Sequence, residues 1–171
     1  MPNLNLYNES LKNADSKNKS IIMPLISWDI YSNYFQEVKA QNADFSQLID
    51  LKALYNWDLK FNLLDELQNN DTILITNREL KIEFASQGVL AMTGYLPDEV
   101  IGKSPKMFQG EKTSKEKRNM IKEAVLAQKP FETVMVNYRK NGETYDCHIR
   151  SFPIFNTKGE LSHFIALEKA A

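Results

Sequence analysis

The chain has 171 residues, 43% of them hydrophobic and 25% charged, and a formal net charge of -1. That suffices for one domain with a sizeable core plus an extension, and the near-neutral charge argues against a polybasic surface for nucleic acid or anionic membranes. A single cysteine, Cys147, excludes an intrachain disulfide framework and fits a reducing, cytoplasmic setting. The apolar run at 21–26 is too short to span a bilayer, and the first residues lack the charged and long apolar regions of a secretory leader.

Residues 1–20, rich in Asn, Ser, Lys and Asp, have little apolar periodicity and are expected to form a flexible segment. Residues 21–70 read as a helical extension. Leu25, Trp28, Tyr31, Phe35 and Val38 repeat at spacings of three and four, and Pro24 suits a first helical turn. Phe45, Leu48, Leu51, Leu54 and Tyr55 suggest a second helix, and Trp57, Phe61, Leu64 and Leu67 a third. These stripes need an apolar partner.

After Asn69-Asn70-Asp71 the period changes. Strands are predicted at 72–76 and 81–84, with a turn over 77–80. A short helix at 86–93 stops at Gly94, and another turn of helix follows at 96–100. Thr113-Ser114-Lys115-Glu116 reads as a capping box with Thr113 as N-cap, opening a helix to about residue 128. Strands follow at 131–138, 145–155 and 161–168, the first pair joined at Asn141-Gly142. Helices clustered between strands imply an α+β domain with an antiparallel sheet over 71–171.

Three segments stand in order: Met92-Thr93-Gly94-Tyr95, then Gly102-Lys103-Ser104-Pro105-Lys106-Met107-Phe108-Gln109-Gly110, then Asn137-Tyr138-Arg139-Lys140-Asn141-Gly142. With the element order, they resemble the PAS superfamily, and within it the flavin-binding LOV branch, over about residues 71–169. The resemblance implies a PAS fold: a five-stranded antiparallel sheet with short helices on one face, here preceded by the helical extension. Where a photoactive LOV domain has its flavin-bonding cysteine, this chain has Pro105. The resemblance therefore implies a sensor without cysteine-adduct photochemistry.

The same resemblance nominates pocket residues. Lys106 and Lys122 fall where phosphate-binding arginines are expected, and lysine supplies charge without the guanidinium fork. Gln109 falls at the ribityl chain, Ser104 just before Pro105, and Asn137 and Cys147 at the flavin ring edge. Glu168 falls at the position that senses flavin N5. Thr133, Met135 and Phe164 complete the implied lining. FMN or FAD is the cofactor implied, although cysteine and an ionised glutamate match the mixed ring edge less well than amides do.

Strand alternation puts Val134, Val136, Tyr138, Ile165 and Leu167 on the opposite face. Each would forgo roughly 1.5–3 kcal/mol of burial if left wet. The apolar stripe of the extension, including Trp28, Tyr31 and Phe35, is the expected cover, from the same chain or across a homodimer.

The basic cluster Lys112, Lys115, Lys117, Arg118 and Lys122 is interleaved with glutamates and reads as a solvated helix face. Cys147 and His148 point to opposite faces, which argues against a shared metal site. His148 and His163 read as surface or interface imidazoles, and the helix from 115 lacks the histidine of a haem sensor. No Ser-His-Asp set, paired carboxylates or phosphate loop is present, so no enzyme activity is expected. The chain ends soon after its last strand, so an output domain within it is not expected. The function expected is a stand-alone PAS sensory or signalling module acting through protein contact, modulated by a small ligand. Its partners would be a second copy or a signalling protein such as a histidine kinase. The alternative is a flavin-binding, LOV-like sensor.

Overall fold

The computed structural model describes residues 25–69 and 72–171. The segment expected to be flexible, 1–20, lies outside the described residues, as do the side chains of Trp28, Tyr31 and Phe35. Residues 1–36 and 37–171 form two units, and the packing described below belongs to the second.

Helix α1 runs unbroken over Leu25–Leu54, where two helices were expected. Its sequence contains no glycine or proline, so the stretch Gln41-Asn42-Ala43-Asp44 does not end the helix. The helix ends just before Asn56, which has a φ of 51°, a left-handed conformation that asparagine tolerates. The chain then forms β1 (Trp57–Asp58), and α2 (Leu63–Asn69) follows. Trp57 therefore stands on a strand, not on the expected third helix, and pairs with Asn156.

Next come β2 (Thr72–Asn77), β3 (Ile82–Ala85), α3 (Gly88–Thr93), α4 (Pro97–Val100) and a 3-10 turn at Pro105–Phe108. They are followed by α5 (Lys115–Leu126), β4 (Phe131–Tyr138), β5 (Thr144–Asn156) and β6 (Leu161–Ala170). The N-cap of α5 is Ser114, whose Oγ accepts from Lys117 N–H, and not Thr113. Thr113 is buried; its hydroxyl donates to Val136 O and accepts from Gly110 N–H, tying this loop to β4.

The strands form one antiparallel sheet in the order β1-β5-β6-β2-β3, with β4 also paired to β5. The sheet has six strands rather than the expected five, because β1 adds to the end of the long β5. Together with the short helices this is the α+β arrangement that the resemblance implied.

The outer face is covered from within unit 37–171. Ile73, Ile75, Ile154, Ile165 and Leu167 share one core with Leu48 of α1, Trp57 of β1, and Leu63 and Leu67 of α2. The cover stops short of β4. Val134 remains 39% exposed and Val136 is half-buried. Tyr138 lies instead against the loop after the 3-10 turn: its hydroxyl accepts from Lys112 N–H at 2.9 Å, and its ring occupies the space where Gly110 lacks a side chain. Of the expected interface set, Ile165 and Leu167 meet the extension, while Val134, Val136 and Tyr138 lie beyond its helical cover.

Candidate functional site

The inner face of the sheet does not close on itself. A cavity of about 680 Å³ lies between it, the 3-10 turn and α5, within the range of small-molecule sites. Its floor is apolar and comes from alternating strand positions: Leu74 on β2, Met135 on β4, Ile149 on β5, and Phe164 and Ala166 on β6. Ile121 and Val125 of α5 form the lid. The helix is amphipathic, yet none of its residues is buried, and Leu126 at its end is 74% exposed. Ile121 and Val125 are half-buried; both face the cavity, and Ile121 also packs against the core that holds Met135 and Ile149.

Polar groups stand at two levels. Lys106, Lys115, Arg118 and Lys122 line the cavity from the 3-10 turn and α5; the three lysines are exposed and Arg118 is half-buried. They supply positive charge with little desolvation. Asn137 and Glu168 are deep, each 4% exposed. The Asn137 side-chain oxygen has no hydrogen-bond partner, which is costly for a buried acceptor. Glu168 accepts a long bond from Cys147 Sγ at 3.7 Å. Burial pushes its carboxyl up to about 7, against a smaller opposing effect of that bond. It is therefore largely a neutral acid in mildly acidic solution and can donate as well as accept.

Ser104, Lys106, Gln109, Lys122, Asn137, Met135, Phe164 and Glu168 are brought together around this cavity, and Pro105 joins its wall. Thr133 and Cys147 do not line it. Cys147 is fully buried in a cluster with Met92, Met135, Tyr145 and Ile149, because Met92 of α3 covers that part of the sheet. Burial, then the Glu168 carboxylate, push its thiol far above the usual range. Sequence reasoning missed Leu80, Lys115 and Arg118 as lining residues. The position of the lysine and arginine on the α5 stripe beside Ile121 and Val125 could have indicated them.

On the other face, polar bonds key the cover to the sheet. Trp57 Nε1 donates in a fork to His163 Nδ1 at 3.1 Å and to Ser162 Oγ at 3.2 Å. Indole is a donor only, so this nitrogen of the imidazole is the acceptor and the other carries the proton. His163 Nε2 then donates to Glu83 Oε2 at 3.1 Å. Tyr55 OH donates to the same carboxylate oxygen and Asn77 Nδ2 to the other. Partial burial pulls Glu83 up, but the bonds from His163, Asn77 and Tyr55 outweigh it and hold the carboxyl below its ordinary value. His163 is only 3% exposed, with the Tyr55 ring centroid at 4.3 Å. A second tie comes from Asp44 of α1, which accepts from Gln87 N–H at 2.8 Å at the start of α3.

Comparison with known proteins places this geometry. A family model described as "PAS domain" matches residues 70–169. The chain is 37% identical over 97 residues to a blue-light-activated histidine kinase of Brucella canis (strain ATCC 23365 / NCTC 10854 / RM-666), an alignment covering 55% of this chain and 20% of the kinase. It is 37% identical over 109 residues to Protein TWIN LOV 1 of Arabidopsis thaliana, covering 61% of this chain and 27% of that protein. The chain thus spans about a fifth to a quarter of the length of these relatives. Among solved structures, the dark structure of the blue-light photoreceptor Aureochrome1 LOV superposes with a TM-score of 0.61 at 24% identity, covering 67% of this chain and 86% of that one. The LOV domain of the Erythrobacter litoralis EL346 blue-light activated histidine kinase gives 0.55 at 22% identity, covering 58% and 94%. At these identities the structural likeness establishes the fold. No helix among the described residues is long and apolar enough to cross a membrane.

Proposed function

The chain belongs to the PAS domain family, and from that premise we propose that it is a non-catalytic sensory module. A small ligand in the inner cavity would bias the packing of the helical cover on the outer face, and the signal would leave by protein contact. The observation that carries this reading is the alternation of β6. Phe164, Ala166 and Glu168 line the cavity, while Ile165 and Leu167 pack against Leu48, Trp57, Leu63 and Leu67. A ligand that prefers one position of this strand shifts the population of cover states by its difference in affinity for them. The receiving surface would belong to a second copy or to a signalling protein of the histidine-kinase kind.

The ligand class follows from the lining. Apolar walls with a cationic rim and a deep unpaired acceptor suit an apolar ring system that carries an anionic tail and a donor on its far edge. Native mass spectrometry of the freshly purified full chain tests this reading. A bound molecule of that class is expected, and a bare polypeptide that takes up none on incubation would contradict it.

The unpaired Asn137 oxygen favours a specific second reading, in which the ligand is a flavin, FMN or FAD. Asn137, Gln109 and Glu168 would face its polar atoms, and Lys106 and Lys122 its phosphate. Bound flavin would supply blue-light absorption and electron acceptance. Pro105 offers no nucleophile and Cys147, the single cysteine, is outside the lining, so no thiol adduct is part of this reading. Incubation with FMN or FAD, removal of free flavin and a visible spectrum separate the two. Retained absorbance near about 450 nm supports flavin, and its loss in the wash opposes it.

A further inference from the structure

Three turns of this sheet share one hydrogen-bond pattern. Asn77, Arg139 and Asn156 each donate their N–H to the carbonyl four residues on, at Lys81, Glu143 and Glu160, and accept from the N–H three residues on. In each, the third loop residue has a positive φ: 58° at Leu80, 87° at Gly142 and 78° at Gly159. A left-handed conformation is free for glycine and costly for a residue with a branched side chain. Two of the turns use glycine, and the third uses leucine. The side chain gained in exchange is half-buried and lines the inner cavity, with Thr76 of the preceding strand and Phe164 of β6 also in the wall.

We propose that Leu80 is a ligand-contact residue that sets the affinity and shape preference of the cavity. The backbone strain at this turn serves to hold an apolar wedge against the bound molecule. Backbone strain at a position that the surroundings over-determine is a common mark of such sites. The inference rests on the reading of the cavity as a ligand site and adds a residue to it. The preferred ligand is one whose apolar ring edge reaches the β2–β3 turn, so a smaller ring system gains less from Leu80 than a larger one.

The test uses the full chain and two probes, FMN and 1-anilinonaphthalene-8-sulfonate, both ring systems with an anionic group. Leu80→Gly removes the side chain and relaxes the turn; Leu80→Ala removes the side chain and keeps the strain. Both variants are expected to bind the probe at least about five-fold more weakly than the unmodified chain. Only Leu80→Gly is expected to melt higher, by about 2–4 °C. Unchanged affinity in Leu80→Gly would overturn the proposal and leave the cavity reading intact. A Leu80→Ala variant that melts more than about 10 °C lower would mark Leu80 as a core filler and overturn it too. Failure of the unmodified chain to take up either probe would defeat the cavity reading, and this proposal with it.

Discussion

Leu167 and Glu168 are neighbours in β6 whose side chains stand on opposite faces of the sheet. Leu167, 1% exposed, lies in the core beneath α1 and α2, and Glu168, 4% exposed, is in the cavity wall. One strand therefore carries both the innermost charge-bearing group of the candidate site and the apolar surface that the extension covers. A change in the protonation or contacts of Glu168 acts on the backbone to which Leu167 is attached.

The first prediction concerns pH. The folded-state pKa of Glu168 is raised from 4.5 to about 7, so the native state holds its proton more tightly than the unfolded chain. Its contribution is fully present below pH 4.5, is lost as pH rises towards 7, and is level above that. Urea titrations should show Glu168→Gln gaining on the parent across this window, by an amount on the order of 3 kcal/mol at pH 8. Parallel pH profiles for the two proteins would refute the assignment.

A second prediction separates the two parts of the extension. Leu48 is fully buried against the outer face, so Leu48→Ala should cost about 2–5 kcal/mol in chemical unfolding. Deletion of residues 1–69 should yield a protein that aggregates or self-associates, because Ile73, Ile75, Ile165 and Leu167 lose their cover. Deletion of 1–36 alone should leave the 37–171 unit folded. Size-exclusion chromatography distinguishes these outcomes.

The bond from Trp57 to His163 is testable with little change in shape. Trp57→Phe keeps an aromatic ring over the core and removes the indole donor. The expected loss is about 1 kcal/mol in urea unfolding, larger than that of Trp57→Phe made in a His163→Phe background. Because Ser162 Oγ also accepts from the indole, the cycle isolates the imidazole's share, and equal losses in the two backgrounds would show that His163 contributes nothing to it.

Gly110 should tolerate no side chain. A Cβ there would sit 2.5 Å from the Tyr138 ring, so Gly110→Ala should destabilise by about 1–3 kcal/mol through overpacking. Tyr138→Ala in the same protein should recover part of that loss, which a thermal melt of the double variant would reveal. Additive losses would place the damage elsewhere.

Much of the PAS domain was legible because its strands alternate and its turns carry their own chemistry. Residues 131–138 appear as the expected strand, and Gly94, Gly142 and Gly159 each adopt the left-handed conformation. The alternation of β6 also followed from side-chain period, while which of its faces holds the pocket came from the resemblance. The extension was harder to read. Trp57, Phe61, Leu64 and Leu67 have helical spacing, but the backbone turns at Asn56 and Trp57 pairs with β5, a tertiary contact that overrides the local pattern. Thr113 looked like a cap because it precedes Glu116 by three residues; Ser114 caps instead, since Val136 O captures the threonine hydroxyl. The pocket set was legible only through family resemblance. Cys147 fell out of it because Met92 fills the space in front of that strand position.

The coupling through β6 is tested most directly by hydrogen exchange at pH 8, comparing the unmodified chain with Glu168→Gln. Ionised Glu168 should loosen the strand beneath the cover. Amides in 44–69 should then exchange faster in the unmodified chain, by a larger factor than those of the 139–143 turn, which touches neither cavity nor cover. Indistinguishable exchange across 44–69 in the two proteins would contradict the account.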